Sequence, residues 1–120
     1  MTTPQRILIV EDNQLVRRML SRRLAAVGFG VSSVESSTEA IEQLEGAPVD
    51  LVLSDVNLPG GDGFELIDRM RERAMETPVI LISGATGDTR AALAHGAAGY
   101  FEKPFDFDAL VGAIELALAG

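Results

Sequence analysis

The chain has 120 residues, no cysteine, 47% hydrophobic and 23% charged residues, and a formal net charge of −8. That length suits one domain able to bury a core without metal or disulfide staples, and the missing thiols exclude a disulfide framework, thiolate chemistry and cysteine-type zinc sites. The acidic balance disfavours a grip on a phosphate backbone, so no direct nucleic-acid binding is expected.

Elements alternate along the chain. Residues 6–10 form a short apolar run ended by polar groups, which predicts a buried strand. Leu15, Val16, Met19, Leu20, Leu24 and Val27 recur at helical spacing, with Arg17, Arg18, Arg22 and Arg23 on the other, solvated face, and Gly28 stops the helix. Residues 31–34 are weaker, as suits an outer strand. Ser36-Ser37-Thr38-Glu39 offers Ser-x-x-Glu capping chemistry before Ala40, Ile41 and Leu44. Residues 50–54 read as the third strand, and Phe64, Ile67 and Met70 mark a third helix behind Gly60-Gly61-Asp62-Gly63. Residues 78–83 are the fourth strand, followed by a short alanine-rich helix from about Asp88 to His95. Residues 99–102 give the fifth strand. Phe107, Leu110, Val111, Ile114 and Leu118 stripe a last helix capped by Asp106. His95, just before Gly96, reads as a helix C-terminal residue favoured by the dipole.

The pattern predicts (βα)5 in a single domain over residues 1–120, with neither a linker nor an effector domain expected. The first, third and fourth strands are uniformly apolar and must be covered on both faces, which requires a parallel sheet between two helical layers. Five units are too few to close a barrel, so an open, doubly wound α/β sheet is expected, in the order 2-1-3-4-5. The longest aliphatic runs (7–10 and 79–82) are four residues, far short of the ~20 a membrane span needs. With no signal peptide and no cysteine, a cytoplasmic location is expected.

In such sheets ligands bind outside the carboxyl ends of the strands, at the switch between the first and third. The first strand delivers Glu11 and Asp12 there, the third Asp55 with Asn57 two residues on, and the fourth Ser83. Beyond the fifth stands Lys103, the only lysine. Taken singly, each has a duller explanation: Asp12 or Asn13 as a helix cap, Asp55 as a turn opener, Ser83 as a loop residue making a local bond, Lys103 as a solvated surface group. Independent caps would not all fall at one sheet edge. Three carboxylates so close require a cation, and an all-oxygen set suits Mg2+, with Mn2+ as a substitute. Asp55 would be the nucleophile of a phosphoryl transfer, with Lys103 supplying a second positive charge and Ser83 a hydroxyl.

At this point a family is recognisable. Ile7-Leu8-Ile9-Val10-Glu11-Asp12, Leu53-Ser54-Asp55-Val56-Asn57-Leu58-Pro59-Gly60, Asp62-Gly63-Phe64, Pro78-Val79-Ile80, Ser83 and Lys103-Pro104-Phe105 resemble the receiver domain of two-component response regulators, which has a flavodoxin-like fold. The resemblance implies that Asp55 accepts a phosphoryl group from a histidine kinase or phosphotransfer protein. It implies Mg2+ held directly by Asp12 and Asp55, by the Asn57 backbone carbonyl, and by Glu11 through water. Lys103 and Ser83 would contact the phosphoryl oxygens, Ser83 and Tyr100 would act as the switch pair, and the Lys103–Pro104 bond would be cis. The output would be a conformational switch for signal transduction, the domain catalysing only its own phosphorylation and dephosphorylation.

Two departures stand out. Gly61 replaces the family's more frequent methionine and is expected to loosen the loop after Asp55. The Ser83–Lys103 interval is shorter than usual, with the loss expected in the Gly84-Ala85-Thr86-Gly87 loop or the fourth helix. Two other functions fit less well. An aspartate-nucleophile phosphatase needs a second aspartate where Asn57 stands. A flavin-binding module would have its phosphate repelled by Glu11 and Asp12.

Overall fold

The computed structural model describes residues 3–84 and 89–120. Five strands, β1 (Arg6–Val10), β2 (Gly30–Val34), β3 (Leu51–Asp55), β4 (Val79–Ser83) and β5 (Gly99–Glu102), alternate with five helices. These are α1 (Gln14–Val27), α2 (Ser37–Gly46), α3 (Gly63–Glu72), α4 (Thr89–His95) and α5 (Phe107–Ala119). All neighbouring strands pair in parallel in the order β2-β1-β3-β4-β5. The expected strand bounds agree to within one residue. The expected helix start at Asp88, and all of the Gly84–Gly87 loop except Gly84, lie outside the described residues.

Alternation along the strands sorts the core into two layers. Ile7, Ile9, Leu51, Leu53, Ile80 and Ile82 pack with Leu20 and Leu24 of α1 and with Phe107, Leu110 and Ile114 of α5. Leu8, Val10, Val52, Val79 and Leu81 pack on the opposite face against α2, α3 and α4. That period-2 division follows from the pleat, and it explains why the three central strands carry the unbroken apolar runs 7–10, 51–53 and 79–82. The same alternation sends Tyr100 to the α2–α4 layer and Phe101 to the α1–α5 layer.

Local chemistry sets the helix ends. The Asn13 side chain accepts from the N–H groups of Leu15 and Val16, Ser36 from Glu39, Asp62 from Glu65, and Asp106 from Asp108. Each pairing satisfies a donor that a helix start leaves open. Gly28 closes α1 at φ 112°, a left-handed conformation suited to glycine. His95 is the last residue of α4, as expected, but the dipole is not its only partner. Its Nδ1 lies 2.9 Å from Asp68 Oδ1 and its ring stacks on Phe64 with centroids 5.1 Å apart, so it joins α4 to α3.

Sequence expectations for the apolar stripe of α1 and for Arg17 need correction, and Gly61 has a further role. Leu15, Met19 and Val27 do not join the buried stripe of α1; they are 76%, 45% and 52% exposed. Arg17, expected on the solvated face, is turned inward instead. For Gly61 the structure shows a conformational and packing reason for glycine. It adopts φ 145°, and a Cβ there would stand 2.7 Å from Glu65 Oε2 and 3.2 Å from Ser37 Oγ, so the glycine lets that loop lie against α2 and α3.

Candidate functional site

β1 and β3 are adjacent, and both end at the same edge of the sheet. Glu11 follows the last residue of β1, and Asp55 is the last of β3. Both are almost fully buried, at 3% and 7% exposure. Asp12 is exposed beside them. One carboxylate oxygen from each of Glu11, Asp12 and Asp55 lies within 4.8 Å of the others. β4 ends in buried Ser83, whose carbonyl accepts the Lys103 N–H at 2.7 Å. That bond ties the ends of β4 and β5 and aims the lysine back over the sheet edge. Lys103 Nζ is 3.2 Å from Glu11 Oε1 and 3.0 Å from Asp55 Oδ2. The Lys103–Pro104 peptide is cis.

The other Asp55 oxygen is also engaged: Oδ1 accepts the Asn57 N–H at 3.1 Å. The turn after Asp55 is held by the Val56 N–H donating to Ile82 O and the Gly63 N–H donating to Val56 O, both at 2.8 Å. Gly63 has to be glycine for this turn to close. A Cβ there would lie 2.8 Å from Asp55 O, 2.9 Å from Leu81 Cδ2 and 3.1 Å from Val56 Cα. Tyr100 is half-buried in the layer facing α4, in register with Leu81 and two residues before Glu102, the register partner of Ser83.

Electrostatics follow from burial and from the uneven charge. Burial pushes the Glu11 carboxyl above its ordinary 4.5; the Asp55 charge adds to this, while the Asn13 N–H and Lys103 oppose it. Burial also works to strip the proton from Lys103. The hydrogen bond and charge of Asp55, together with Glu11, outweigh that and hold its ammonium above the ordinary 10.5. Three carboxylates against one ammonium leave two negative charges uncompensated if all are ionised. The cluster is a hard, oxygen-only donor set suited to a divalent cation.

Sequence reasoning named Glu11, Asp12, Asp55, Asn57, Ser83, Lys103 and Tyr100. The structure brings the three carboxylates and Lys103 into direct contact range, with Asn57 bonded to Asp55 through its main chain and Ser83 bonded to the lysine's. It missed Arg17, whose Nη1 donates to Glu11 O at 2.9 Å, and the packing role of Gly63. A signal existed for each. Arg17 stands three and seven residues before Leu20 and Leu24, on their face of the helix, and a glycine at the first helical position is a poor choice unless something lies close.

Residues 7–115 match the family described as the response regulator receiver domain. The chain belongs to that family. Receiver domains are the phosphorylation-dependent signalling modules of two-component systems, regulatory domains in character. This receiver domain is 40% identical over 107 residues to the transcriptional regulatory protein TcrA of Mycobacterium tuberculosis, covering 88% of the chain but 42% of TcrA. It thus spans less than half the length of that relative. Among solved structures, a response regulator from Chloroflexus aurantiacus superposes with a TM-score of 0.89 at 34% identity, covering 98% of this receiver domain and all of that chain. The response regulator TrrA of Thermotoga maritima, solved in complex with Mg2+-BeF, superposes at 0.87 with 26% identity, over 94% of this chain and 98% of TrrA. No helix among the described residues is long and apolar enough to cross a membrane.

Proposed function

We propose that residues 1–120 act as one receiver unit that takes a phosphoryl group onto the Asp55 carboxylate from a phosphohistidine of a kinase or phosphotransfer protein. The observation that carries this reading is the convergence of Glu11, Asp12, Asp55 and Lys103 at the crossover of the sheet. In the transfer, an Asp55 oxygen bonds to phosphorus while the phosphorus–nitrogen bond of the donor breaks, and the imidazole leaves with the bonding pair.

Mg2+ is the divalent ion proposed for the site. Asp12 and Asp55 would hold it directly, the Asn57 carbonyl would add a ligand, and Glu11 would act through water. When bound, it supplies positive charge to the phosphoryl oxygens during transfer. The remaining work falls to the chain. Burial of Glu11 and Asp55 removes competing water. The Asn57 N–H and Lys103 Nζ orient the two Asp55 oxygens, and the lysine charge then turns to the transferred group. Ser83, at the end of β4, would bond a phosphoryl oxygen, and Tyr100 would report that change toward α4.

A donor surface lies next to the site. Leu15 and Met19 are exposed on α1 beside Arg18 and Arg22, and a groove of about 240 Å³ runs from Met19 and Val16 to Lys103, Pro104 and Phe105. An apolar strip edged by arginines fits the helices of a phosphohistidine-bearing partner. Because such donors are charged from ATP, the exchange is placed in the cytoplasm.

The deciding experiment uses acetyl phosphate and Mg2+ with mass spectrometry of the intact chain. Wild type should gain one phosphoryl group, and Asp55→Asn should gain none. Wild type of unchanged mass would refute the reading.

A further inference from the structure

We infer that Arg17 is a positioning residue for the acid pair, a strut that fixes where Asp12 stands. Its side chain is 15% exposed, whereas Arg18, Arg22 and Arg23 of the same helix are exposed. One guanidinium nitrogen donates to the Glu11 carbonyl at 2.9 Å, and the other pairs with Glu35 Oε1 at 3.2 Å. Glu35 follows Val34, whose carbonyl accepts the Glu11 N–H at 3.1 Å. The contacts close a ring: Glu11 to Arg17, Arg17 to Glu35, and Val34 back to Glu11. The Glu11 peptide is thereby clamped from both sides. Asn13 is pinned as the cap of α1, and its N–H donates to Glu11 Oε2 at 3.1 Å. Asp12, exposed between these two fixed residues, takes its place from them.

A planar fork with several donors can bridge a carbonyl and a carboxylate at once; a lysine ammonium at that position is a single point charge on a different stem. The inference rests on the proposed divalent-cation reading, and it makes a prediction opposite in sign to simple electrostatics. A positive charge beside the carboxylates opposes a cation, so on charge alone Arg17→Gln would tighten Mg2+ binding and Arg17→Lys would change nothing. As a strut, both substitutions weaken it. Residues that orient metal ligands typically change affinity by about ten- to a hundredfold, and Arg17, acting through a main-chain carbonyl, belongs at about tenfold.

The test titrates Mg2+ alone by calorimetry into the 120-residue chain. It is paired with amide hydrogen exchange of the metal-free protein. Arg17→Lys and Arg17→Gln should each bind Mg2+ about tenfold more weakly and exchange faster at the amides of Glu11 and Asn13. Arg18→Gln should match wild type in both. Glu35→Gln should weaken binding less, and adding it to Arg17→Lys should cost nothing further, because the ring is already open. Wild-type affinity in Arg17→Lys, tighter binding in Arg17→Gln, or an equal loss in Arg18→Gln would each overturn the inference. If wild type fails to bind Mg2+ at all, the divalent-cation reading fails instead. The exchange rates then decide the strut by themselves: unchanged exchange in Arg17→Lys overturns it too.

Discussion

Gly63 shows how much of an acidic site can depend on a residue with no side chain. Its missing Cβ leaves room for Asp55 O and Leu81 Cδ2, both of which would lie under 3.0 Å away. A main-chain oxygen on a buried strand cannot step aside as a flexible side chain can. Gly63→Ala should therefore lower the unfolding free energy by about 1–3 kcal/mol, the usual cost of overpacking, and slow labelling of Asp55 by acetyl phosphate. Urea unfolding with parallel mass spectrometry checks both, and wild-type values would show that the turn yields without effort. Glu11 supplies a pH signature. Its carboxyl is raised above 4.5, chiefly by burial, so the folded, metal-free chain holds this proton to higher pH than the unfolded chain does. The contribution of Glu11 to stability is accordingly best below pH 4.5, declines as pH rises through the raised folded value, and is flat above it. The Lys103 shift has its window above 10.5 and does not overlap. In EDTA, Glu11→Gln should gain stability relative to wild type at neutral pH and lose that advantage near pH 4. An equal difference at both pH values would contradict the burial argument. Asp55 and Lys103 were legible because each sits at a strand end. Gly63 was not, because the atoms it avoids are brought close only by the fold.

Within single elements, α1 is the instructive case. Leu15, Val16, Met19, Leu20 and Leu24 read as one stripe, yet the helix carries two. Leu20 and Leu24 enter the core with Val16 partly covered, and Leu15 and Met19 face outward with Arg18 and Arg22. Residues at 15, 16, 19 and 20 straddle the boundary, and spacing alone cannot tell a wide buried face from a buried face beside an exposed apolar strip. The arginines divide too. Arg17 is built into the β1–α1 turn, and Arg23 lies over the Phe107 ring with 4.0 Å to its centroid. Arg18 and Arg22 remain exposed. Reversing their charge (Arg18→Glu with Arg22→Glu) should slow phosphoryl transfer from a histidine kinase by roughly tenfold or more, as loss of electrostatic steering does. Labelling by acetyl phosphate should stay unchanged. Equal slowing with both donors would place the effect in the site rather than on the docking face. By contrast, the helix caps at Ser36 and Asp106 were plain in the sequence, because a cap is made within a few residues of itself.

Across the whole molecule, the doubly covered parallel sheet was readable from three apolar runs, since only such a sheet buries every residue of a strand, and the strand order followed from the commonest five-strand arrangement. What could not be read was distance. Convergence of the carboxylates was inferred from topology, while the Lys103 bridge and the Arg17 ring depend on side-chain geometry spanning distant parts of the chain. The uncompensated charge at the site also bears on global stability. A cation that binds the folded chain alone stabilises it by mass action, about 2.7 kcal/mol at a hundred times Kd. Saturating Mg2+ should raise the urea midpoint of wild type, and Asp12→Asn should lose most of that increment. A midpoint indifferent to Mg2+ in wild type would mean that the folded state holds no preference for the ion.

The opposed directions of Tyr100 and Phe101 have a further effect. They are consecutive residues on an edge strand, each pressed into a different helical layer, and the strand's far end is tied to β4 through Ser83 O. A small displacement of β5 is therefore felt on both sides of the sheet at once. Two listeners, one on each flank, can register the same event without competing for the same ground.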